Sequence, residues 1–420
     1  MSSNSFFDVV NMDLIPQSWE KKLLKDVAAI NQASSNLREF EWINYTDIAS
    51  VGTHTAELPT KLKVSEAPSR ARRILKYGDT VVSTVRPNRK SFFFYNGQWS
   101  NPIASTGFAV VSPRFISDAE YLYAVLTSDA AVKTYEAICE GGAYPAFNPS
   151  RLNELRIPWP PEEVRNLVGR FLMNLESKIE VNKALSKTLE DIAEALFKSW
   201  FIDFDPVKSK IAGEKSESLD AGTAALFPDG LIQTELGEAI VGSSIVSIGD
   251  VLDLAWGDTK TTKSSYVPSG FAAYSAKGQD GFLNKYDYDQ MGIVLSAIGA
   301  GCGRTWLALG KWSCIKNTIR ILNRDDNPDV LTYFYFLSSN PDFWPKRGSA
   351  QPFIGQEDAR SLQIILPPAD LLKSFAGIVK PILMQIHILQ QQNYSLSKIR
   401  DSLSPGLISG DVAILEEILA

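Results

Sequence analysis

The residues that could perform metal or acid–base chemistry are few in this 420-residue chain and lie far apart. The sequence has two histidines, His54 and His387, and three cysteines, Cys139, Cys302 and Cys314, without a Cys-x-x-Cys pair. A structural zinc site needs four such ligands at close spacing, and general acid–base catalysis uses His most often. The sequence therefore predicts no metal site and offers little material for histidine-based catalysis.

Two short motifs resemble parts of catalytic or cofactor loops. The segment Gly299–Gly303 follows an apolar stretch, but it lacks the third glycine of the dinucleotide pattern and the acidic residue expected downstream. Asn148-Pro149-Ser150 begins like the Asn-Pro-Pro-aromatic motif of amino-methyltransferases, but it lacks the aromatic residue on which a flipped base stacks. We therefore expect that this chain is not an enzyme and binds no cofactor by itself.

One stretch in the first half is strongly basic, although the whole chain has a formal net charge of −6. Between Lys61 and Lys90 there are nine Lys or Arg residues against Glu66 and Asp79. Such clustering suits phosphate neutralisation and contacts with base edges, while a solvated surface is the alternative interpretation. The candidate DNA-binding residues of this half are Lys61, Lys63, Arg70, Arg72, Arg73, Arg86, Arg89, Lys90 and Tyr144.

The second half carries a sparser set of basic residues. Arg and Gln are the side chains that contact guanine and adenine with two hydrogen bonds. The candidate DNA-binding residues of this half are Lys260, Lys263, Lys277, Arg304, Lys316, Lys346, Arg347 and Gln351.

The chain contains an internal duplication. When Pro145–Pro161 is aligned with Pro352–Pro368, identical residues recur at a constant offset of 207 positions without a gap. The identities continue to Leu196 and Leu403. Each half therefore consists of a globular part followed by a helix.

Each globular part is predicted to be mixed α+β. The predicted strands are Thr80–Val85, Ser91–Tyr95, Phe108–Ser112, Gly292–Ile298 and Thr318–Leu322; the predicted helices are Tyr121–Ser128 and Val330–Ser338. Residues 209–224 are predicted to form a loop between the halves. The predicted domains are a first recognition domain (1–157), a central helical region (158–208), a linker with a second recognition domain (209–365) and a C-terminal helical region (366–420).

A heptad pattern runs along the helix that follows each globular part. Two separate amphipathic helices would explain it, but heptads of this length usually find a helical partner, so we expect the two helices to pair antiparallel. A helix of 40 residues is about 60 Å long, on the scale of DNA turns. The predicted pairing residues are Phe171, Leu175, Asn182, Leu189, Ile192 and Leu196 in the first helix, and Ile378, Ile382, Gln385, Leu389, Leu396 and Ile399 in the second.

Several motifs resemble the specificity subunit of type I restriction–modification systems. The most specific is the run Glu194–Val207, which contains Ser-Trp-Phe-Ile-Asp-Phe-Asp-Pro. The other matching segments are Ile15–Trp19, Tyr77–Ser83, Ile157–Pro161, Ile364–Pro368 and Leu403–Gly410. The resemblance covers nearly the whole chain. The Glu-Gln pair that often follows the Pro-Pro pairs in this family is absent here.

The resemblance implies a non-catalytic subunit in which two target recognition domains each read half of a split, asymmetric DNA site. The two helices would form an antiparallel coiled coil that acts as a ruler, giving the molecule pseudo-two-fold symmetry. The implied partners are double-stranded DNA, two modification subunits that use S-adenosylmethionine, and restriction subunits that use ATP and Mg²⁺. A cytoplasmic protein without a membrane segment is expected. A self-sufficient DNA methyltransferase or nuclease, and a purely protein-binding scaffold, are the alternatives.

Overall fold

The computed structural model describes residues 7–34, 37–142, 144–214, 219–327 and 329–411. The chain divides into two compact units: unit 1 comprises residues 1–183 and 391–420, and unit 2 comprises residues 184–390. Each unit thus contains part of both long helices. The units therefore divide the chain differently from the domains proposed at residues 157, 208 and 365.

Unit 1 is built mainly from short strands. Its strands are β1 (Phe7–Asp8), β2 (Glu20–Leu23), β3 (Ala28–Ile30), β4 (Trp42–Thr46), β5 (Thr60–Lys63), β6 (Ala71–Ile74), β7 (Asp79–Ser83), β8 (Phe92–Tyr95), β9 (Pro102–Ser105), β10 (Phe108–Pro113) and β11 (Leu155–Trp159). Its helices are α1 (Leu24–Val27), α2 (Ala119–Leu126), α3 (Asp129–Ala137), the first part of α4 (Glu162–Phe201) and the last part of α10 (Ala369–Ser409).

Unit 2 repeats the strand order of unit 1 from β2 to β11, but it begins with two short helices and a hairpin and has a 3-10 turn at Pro341–Phe343 where unit 1 has α3. Its helices are the last part of α4, α5 (Asp205–Ile211), α6 (Ala221–Leu226), α7 (Ile248–Val251), α8 (Val330–Leu337), α9 (Gln356–Ser361) and the first part of α10 (Ala369–Ser409). Its strands are β12 (Leu231–Thr234), β13 (Gly237–Ile240), β14 (Ser244–Ser247), β15 (Leu252–Trp256), β16 (Phe271–Ser275), β17 (Gly278–Leu283), β18 (Tyr288–Asp289), β19 (Gly292–Ser296), β20 (Thr305–Ala308), β21 (Lys311–Cys314), β22 (Thr318–Asn323) and β23 (Gln363–Leu366).

The sheets of the two units have matching strand orders. Unit 1 contains β3-β10-β7-β8 and β5-β4-β9-β6, and unit 2 contains β15-β22-β19-β20 and β17-β16-β21-β18. In each second sheet one neighbouring pair is parallel, β4 with β9 and β16 with β21. The mixed α+β fold and the internal duplication predicted from the sequence are therefore confirmed.

The predicted strands and helices of the globular parts occur where the patterns placed them. The segment predicted at Thr80–Val85 forms β7, whose five residues are all buried although Asp79, Thr80 and Ser83 are polar. The predicted loop at 209–224 is not entirely irregular. α5 extends into it as far as Ile211 and α6 begins within it at Ala221, while residues 215–218 lie outside the described residues.

A buried tyrosine anchors the same strand in both units. The Tyr121 hydroxyl in α2 donates a hydrogen bond to the Pro158 carbonyl at 2.8 Å, and the Tyr333 hydroxyl in α8 donates to the Ile365 carbonyl at 2.9 Å. Pro158 and Ile365 are 207 positions apart. The two hydrogen bonds show that the duplication extends to individual buried polar groups.

The long helices pair antiparallel within each unit. In unit 1 the Glu176 carboxylate contacts Arg400, and Asn182 contacts Gln392 and Asn393, so residue numbers fall on α10 as they rise on α4. In unit 2 the ring of Phe375 lies 5.1 Å from that of Phe201. Asn182 is fully buried, and a polar residue of this kind in a helix seam fixes the register of the pair.

The buried stripe of each helix differs from the predicted one at every second position. On α4 the buried positions include Leu172, Ile179, Ser186 and Ala193. Leu172 and Ala193 directly follow the predicted pairing residues Phe171 and Ile192, and Ile179 and Ser186 continue the same seven-residue spacing. Ile192 is 45% exposed. On α10 the same one-residue shift occurs: Ile378, Gln385 and Ile399 are exposed, whereas the residues that follow them, Val379, Ile386 and Arg400, face inward.

The prediction of Ile192, Ile378, Gln385 and Ile399 as pairing residues is therefore wrong, and Phe171 is only half-buried beside buried Leu172. The physical reason is that the heptad can be counted with a spacing of three then four residues or of four then three, and both counts place apolar residues on one face of these helices. Small residues decide between them: a Cβ on Gly169 of α4 would lie 2.5 Å from the Tyr121 nitrogen, so α4 must present this face to α2. The other predicted pairing residues, Leu175, Asn182, Leu189, Leu196, Ile382, Leu389 and Leu396, face inward.

By length and composition alone, α10 could cross a membrane, since an 18-residue window has a mean hydropathy of 1.3. The helix contributes Leu371, Phe375 and Val379 to the core of unit 2, and Leu407 and Ile408 to the core of unit 1. Burial inside the two units thus accounts for part of its apolar composition, since 39% of that window is buried.

Candidate nucleic-acid interface

One basic segment of unit 1 is a tight loop between β7 and β8, residues 86–90, which we call the basic loop. The nitrogen of Arg86 donates to the Pro145 carbonyl at 2.8 Å, which attaches the basic loop to the loop at 140–146. The guanidinium of Arg86 lies 4.6 Å from the centre of the Tyr144 ring. Tyr144 is 62% exposed, so this stacked pair presents a cation and an aromatic face to solvent.

Unit 2 has a corresponding turn between β19 and β20, residues 299–303, which we call the glycine loop. The Gly299 nitrogen donates to the Pro352 carbonyl at 2.9 Å, as Arg86 does to Pro145. The bridge between Arg347 and Phe353 matches that between Glu140 and Ala146 at the 207-residue offset. Gln351, which is exposed, therefore occupies the position of Tyr144.

The backbone of the two loops shows a difference with chemical meaning. Gly299 and Gly303 have φ angles of 99° and 92°, where glycine is the residue without steric cost. In the basic loop the equivalent residues are Arg86 and Lys90, with φ angles of 48° and 53°. A left-handed conformation costs a residue with a Cβ roughly 1–2 kcal/mol. Strained residues of this kind cluster at functional sites.

The other basic residues predicted in unit 1 are not all brought together. Lys61 and Lys63 lie on β5 at one edge of the sheet β5-β4-β9-β6, whereas Arg72 and Arg73 lie on β6 at the opposite edge. Arg70 precedes β6 and is exposed. The Lys61 ammonium lies over the Trp42 ring at 4.4 Å. The basic run of the sequence is thus divided between two sheet edges and the basic loop.

Two of these side chains are less available for a phosphate than the sequence indicated. The Nε atom of Arg73 is buried without a hydrogen-bond partner, and burial lowers the pKa of this guanidinium. The Lys90 ammonium lies 2.7 Å from the Asp129 carboxylate. Of the predicted arginines, Arg70 and Arg89 are exposed, whereas Arg72, Arg73 and Arg86 are half-buried.

In unit 2 three of the predicted cations are already in ion pairs. Lys263 pairs with Asp280, Arg347 pairs with Asp358, and Lys346 lies 3.0 Å from Asp342. Among the described residues, no carboxylate within ion-pair distance is found for the others, which are Lys260, Lys277, Arg304 and Lys316. Arg304 directly follows the glycine loop and is exposed. Unit 2 therefore presents less free positive charge near its loop than unit 1.

A polar cluster that the sequence did not reveal lies under the globular part of unit 1, against both helices. The Glu176 carboxylate on α4 accepts a hydrogen bond from Arg400 on α10 at 2.6 Å, and both side chains are largely buried. The His54 Nε2 atom lies 3.5 Å from the same carboxylate, and its Nδ1 atom lies 2.7 Å from the Tyr123 hydroxyl. These four residues, together with Lys90, Asp129 and others, line a cavity of about 440 Å³.

Burial controls the protonation of this cluster. It lowers the pKa of His54 to about 3, and the positive charges of Arg400, Lys183 and Lys90 act in the same direction. Burial also raises the pKa of Glu176, against the opposing effect of Arg400. The His54 ring is therefore neutral at pH 7, which lets Nε2–H face the carboxylate while Nδ1 accepts from Tyr123. The only sign of this cluster in the sequence is that two charged residues of the long helices, Glu176 and Arg400, occupy positions that face inward.

Within the described residues, no three His, Cys, Asp or Glu side chains come together as metal ligands would. Cys302 and Cys314 are buried free thiols, and Cys139 is half-buried.

Comparison with known proteins gives consistent matches over the chain. The sequence model described as "Type I restriction modification DNA specificity domain" matches residues 16–191 and again residues 241–398. The chain is similar to the type I restriction enzyme MjaIX specificity subunit of Methanocaldococcus jannaschii, with 23% identity over 98% of this chain and 97% of that protein. It is also similar to the HindI specificity subunit of Haemophilus influenzae, with 31% identity over 46% of this chain and 42% of that protein.

A solved structure has the same fold. The S subunit of a type I restriction–modification system from M. genitalium superposes with a TM-score of 0.60 at 14% sequence identity, covering 95% of this chain and 98% of that one. The two matches to the sequence model lie one in each half of the duplication.

Proposed function

The chain belongs to the type I restriction modification DNA specificity family, and from this premise we propose that each of its units reads one half of a bipartite DNA site through its own loop. As a specificity subunit it recognises DNA without performing the chemistry. The observation that carries the proposal is the repeated loop pair: residues 86–90 with Tyr144 in unit 1, and residues 299–303 with Gln351 in unit 2.

The basic loop supplies the unit 1 contacts in this proposal. Arg86 and Arg89 contact phosphates or guanine edges, and the stacked Tyr144 holds the Arg86 guanidinium in place. The strain at Arg86 and Lys90 supports this assignment, since a loop selected only for stability would carry glycine there, as unit 2 does. In unit 2, Arg304 and Gln351 supply the equivalent contacts.

The paired helices set the distance between the half-sites and recruit the modification subunits in this proposal. Exposed apolar side chains on the outer faces of the helices support such docking, because large apolar groups outside a helix seam favour a protein partner. They are Val181 and Ile399 in unit 1, and Leu185, Ile192, Ile378, Met384 and Ile388 in unit 2. We propose two modification subunits per chain, one for each copy of the duplication.

The catalytic cofactors belong to the partners in this proposal. S-adenosylmethionine would be used by the modification subunits, and ATP with Mg²⁺ by the restriction subunits, in the cytoplasm. A self-sufficient methyltransferase predicts instead that the purified chain alone binds S-adenosylmethionine, which equilibrium dialysis with labelled cofactor measures directly. Binding of one S-adenosylmethionine per chain would contradict the proposal that only the modification subunits use this cofactor.

The proposal is tested with the chain in complex with its modification subunit. Methylome sequencing of a host that carries both gives the two half-sites, and fluorescence anisotropy then measures binding to duplexes that contain one half-site or both. Replacing Arg86 and Arg89 with Ala should remove the contribution of one half-site and leave the other unchanged. Arg304→Ala with Gln351→Ala should do the converse.

Lys133→Ala is the matched control, because Lys133 is an exposed lysine on α3 outside the loop pair. A loss of affinity that is equal for both half-sites in the loop variants would contradict the assignment of one loop to one half-site. Deleting one heptad from each long helix should also change the spacer length that the complex prefers. An unchanged spacer preference would contradict the proposal that the paired helices set the distance between the half-sites.

A further inference from the structure

The two units differ at one edge of the strand that precedes each long helix. In unit 1 the sheet order is β1-β11-β2, so β11 is paired on both sides. In unit 2 the equivalent strand β23 is paired with β14 alone among the described strands. The second edge of β23 is thus open where the second edge of β11 is occupied by the chain's own β1.

The occupant of the edge in unit 1 makes defined contacts. β1 runs parallel to β11, with Phe7 beside Leu155 and Asp8 beside Arg156. The Val9 nitrogen donates to the Arg156 carbonyl at 3.2 Å, and both Asp8 carboxylate oxygens lie 2.6 Å from the Arg156 guanidinium. Val9 and the downstream residues Met12 and Trp19 are buried.

The corresponding segment of unit 2 folds onto itself instead. β12 and β13 form a separate two-stranded hairpin. The turn that precedes β14 matches the one that precedes β2. The backbone nitrogen of Ser243 donates to the Ile240 carbonyl, as the backbone nitrogen of Trp19 donates to the Pro16 carbonyl. Serine therefore stands where unit 1 has a buried tryptophan. The Ser243 hydroxyl oxygen is buried and has no hydrogen-bond partner.

These differences leave a cavity beside the open edge. It has a volume of about 500 Å³ and is lined by Gln363, Ile364 and Ile365 of β23, by Ser243, by β13 and by aromatic side chains such as Phe201 and Tyr333. The Ile248 nitrogen donates to the Leu362 carbonyl, so with antiparallel alternation Leu362 and Ile364 face β14. The backbone groups of Gln363 then face the cavity, whereas the Ile365 carbonyl on the same edge already accepts a hydrogen bond from the Tyr333 hydroxyl.

We propose that this edge of unit 2 binds an extended, apolar, non-acidic segment of another polypeptide, which adds to β23 as β1 adds to β11. The charges beside this edge determine which polar side chains the bound segment can carry. Gln363 replaces Arg156, and Glu238 at the rim is exposed without an ion-pair partner among the described residues, so a carboxylate like that of Asp8 would be disfavoured. A side chain of the segment fills the space that Trp19 fills in unit 1.

The assignment of the segment to a partner subunit rests on the proposed function, whereas the edge itself does not. The probe is a fluorescein-labelled peptide, Phe-Asn-Val-Val-Asn-Met, which is the sequence of residues 7–12 with Asp8→Asn. It is titrated with the full chain and followed by anisotropy. The same peptide with Pro in place of the first Val lacks the backbone N–H group that corresponds to the donor of Val9, and should bind at least tenfold more weakly.

Two variants locate the peptide on this edge. Ser243→Trp restores the residue of unit 1, fills the cavity, and should lower the affinity at least tenfold. Ser244→Trp, at an exposed neighbouring position outside the cavity, is the matched control and should bind as the unaltered chain does. Gln363→Arg should reverse the charge preference, so that the Asp8-containing peptide binds about fivefold better than the Asn peptide.

Several outcomes would overturn the proposal. One is no binding at millimolar peptide; another is equal affinity of the Ser243→Trp and Ser244→Trp chains. If the chain self-associates and Ser243→Trp abolishes that association, the occupant is a second copy rather than a partner. The anisotropy experiments with DNA half-sites do not involve this edge, so failure of the peptide experiment and failure of the proposed function can be told apart.

Discussion

The two units connect a similar globular part to the same pair of helices through chemically different junctions. In unit 1 the junction contains Glu176 and Arg400 with His54 and Tyr123, around a cavity of about 440 Å³. At the 207-residue offset, unit 2 has buried Leu383 and Ala193 in place of Glu176 and Arg400. Its junction is instead filled by the rings of Phe197, Phe201 and Phe375.

The difference shows that the fold does not require the polar junction. Apolar packing is non-directional, whereas a buried ion pair is favourable only when each group finds its partner. The junction of unit 1 therefore depends on a particular arrangement of α4, α10 and the loop at His54, while that of unit 2 depends on volume. The same contrast recurs in the loops, where unit 1 has strained Arg86 and unit 2 has relaxed Gly299.

The largest expected effect on stability comes from removing one partner of the Glu176–Arg400 ion pair. Arg400→Ala should reduce the free energy of unfolding of unit 1 by about 3–5 kcal/mol, because it leaves the Glu176 carboxylate buried without its partner. Adding Glu176→Leu, which gives unit 1 the residues of unit 2, should recover much of this loss. Urea unfolding of the full chain, followed by hydrogen exchange of amides in α4, measures both. Equal losses in the single and double variants would show that the pair is not coupled.

The next largest effect concerns DNA. Arg86→Gly should lower the affinity for one half-site by about 10–100-fold, since a good base or phosphate contact by Arg is worth about 1–3 kcal/mol. Affinity for the other half-site should be unaffected. Anisotropy with single-half-site duplexes measures the change at a stated salt concentration. Unchanged binding at both half-sites would remove Arg86 from the interface.

Acidification should weaken the polar junction. The pKa of His54 is lowered to about 3 in the folded protein, from an ordinary value near 6.5, so the neutral ring stabilises unit 1 fully above pH 6.5. This stabilisation is lost as the pH falls from 6.5 toward 3, by about 2 kcal/mol at pH 5. The raised pKa of Glu176 acts in the opposite sense, because the folded protein protonates this carboxylate more readily.

His54→Asn separates the two contributions. Asn tolerates the left-handed backbone at this position, where φ is 59°, and it does not titrate. The stability difference between the unaltered chain and the variant should therefore shrink between pH 7 and pH 5 in urea unfolding experiments. A difference that stays constant over this range would mean that His54 is already accessible to protons.

The smallest expected effects are opposite in sign for the two loops. Arg86→Gly should stabilise the protein by about 1 kcal/mol by relieving left-handed strain, while Gly299→Ala should destabilise it by a similar amount. A Cβ at Gly299 meets no neighbouring atom, so the loss would come from the backbone alone. Thermal unfolding measures both. If Arg86→Gly does not stabilise the protein, the basic loop is not strained at this position.

The sequence by itself determined the elements and their repetition. A constant 207-residue offset, heptads and strands bounded by Gly, Pro and Asn are local or additive patterns, and they predicted the mixed fold, the duplication and the antiparallel helices. The family followed from short runs such as Ser199–Pro206. These features depend on which residues are neighbours in the chain, which a sequence states directly.

Only the tertiary structure decided which of those residues share a surface. Strands β5 and β6 are close in sequence but lie at opposite sheet edges, so the run Lys61–Lys90 does not form one basic patch. Every second position of the helix seam is shifted by one residue, and the close approach of Gly169 to α2 is a contact that no heptad count contains. The left-handed Arg86, the buried His54 and the open edge of β23 likewise arise from long-range packing.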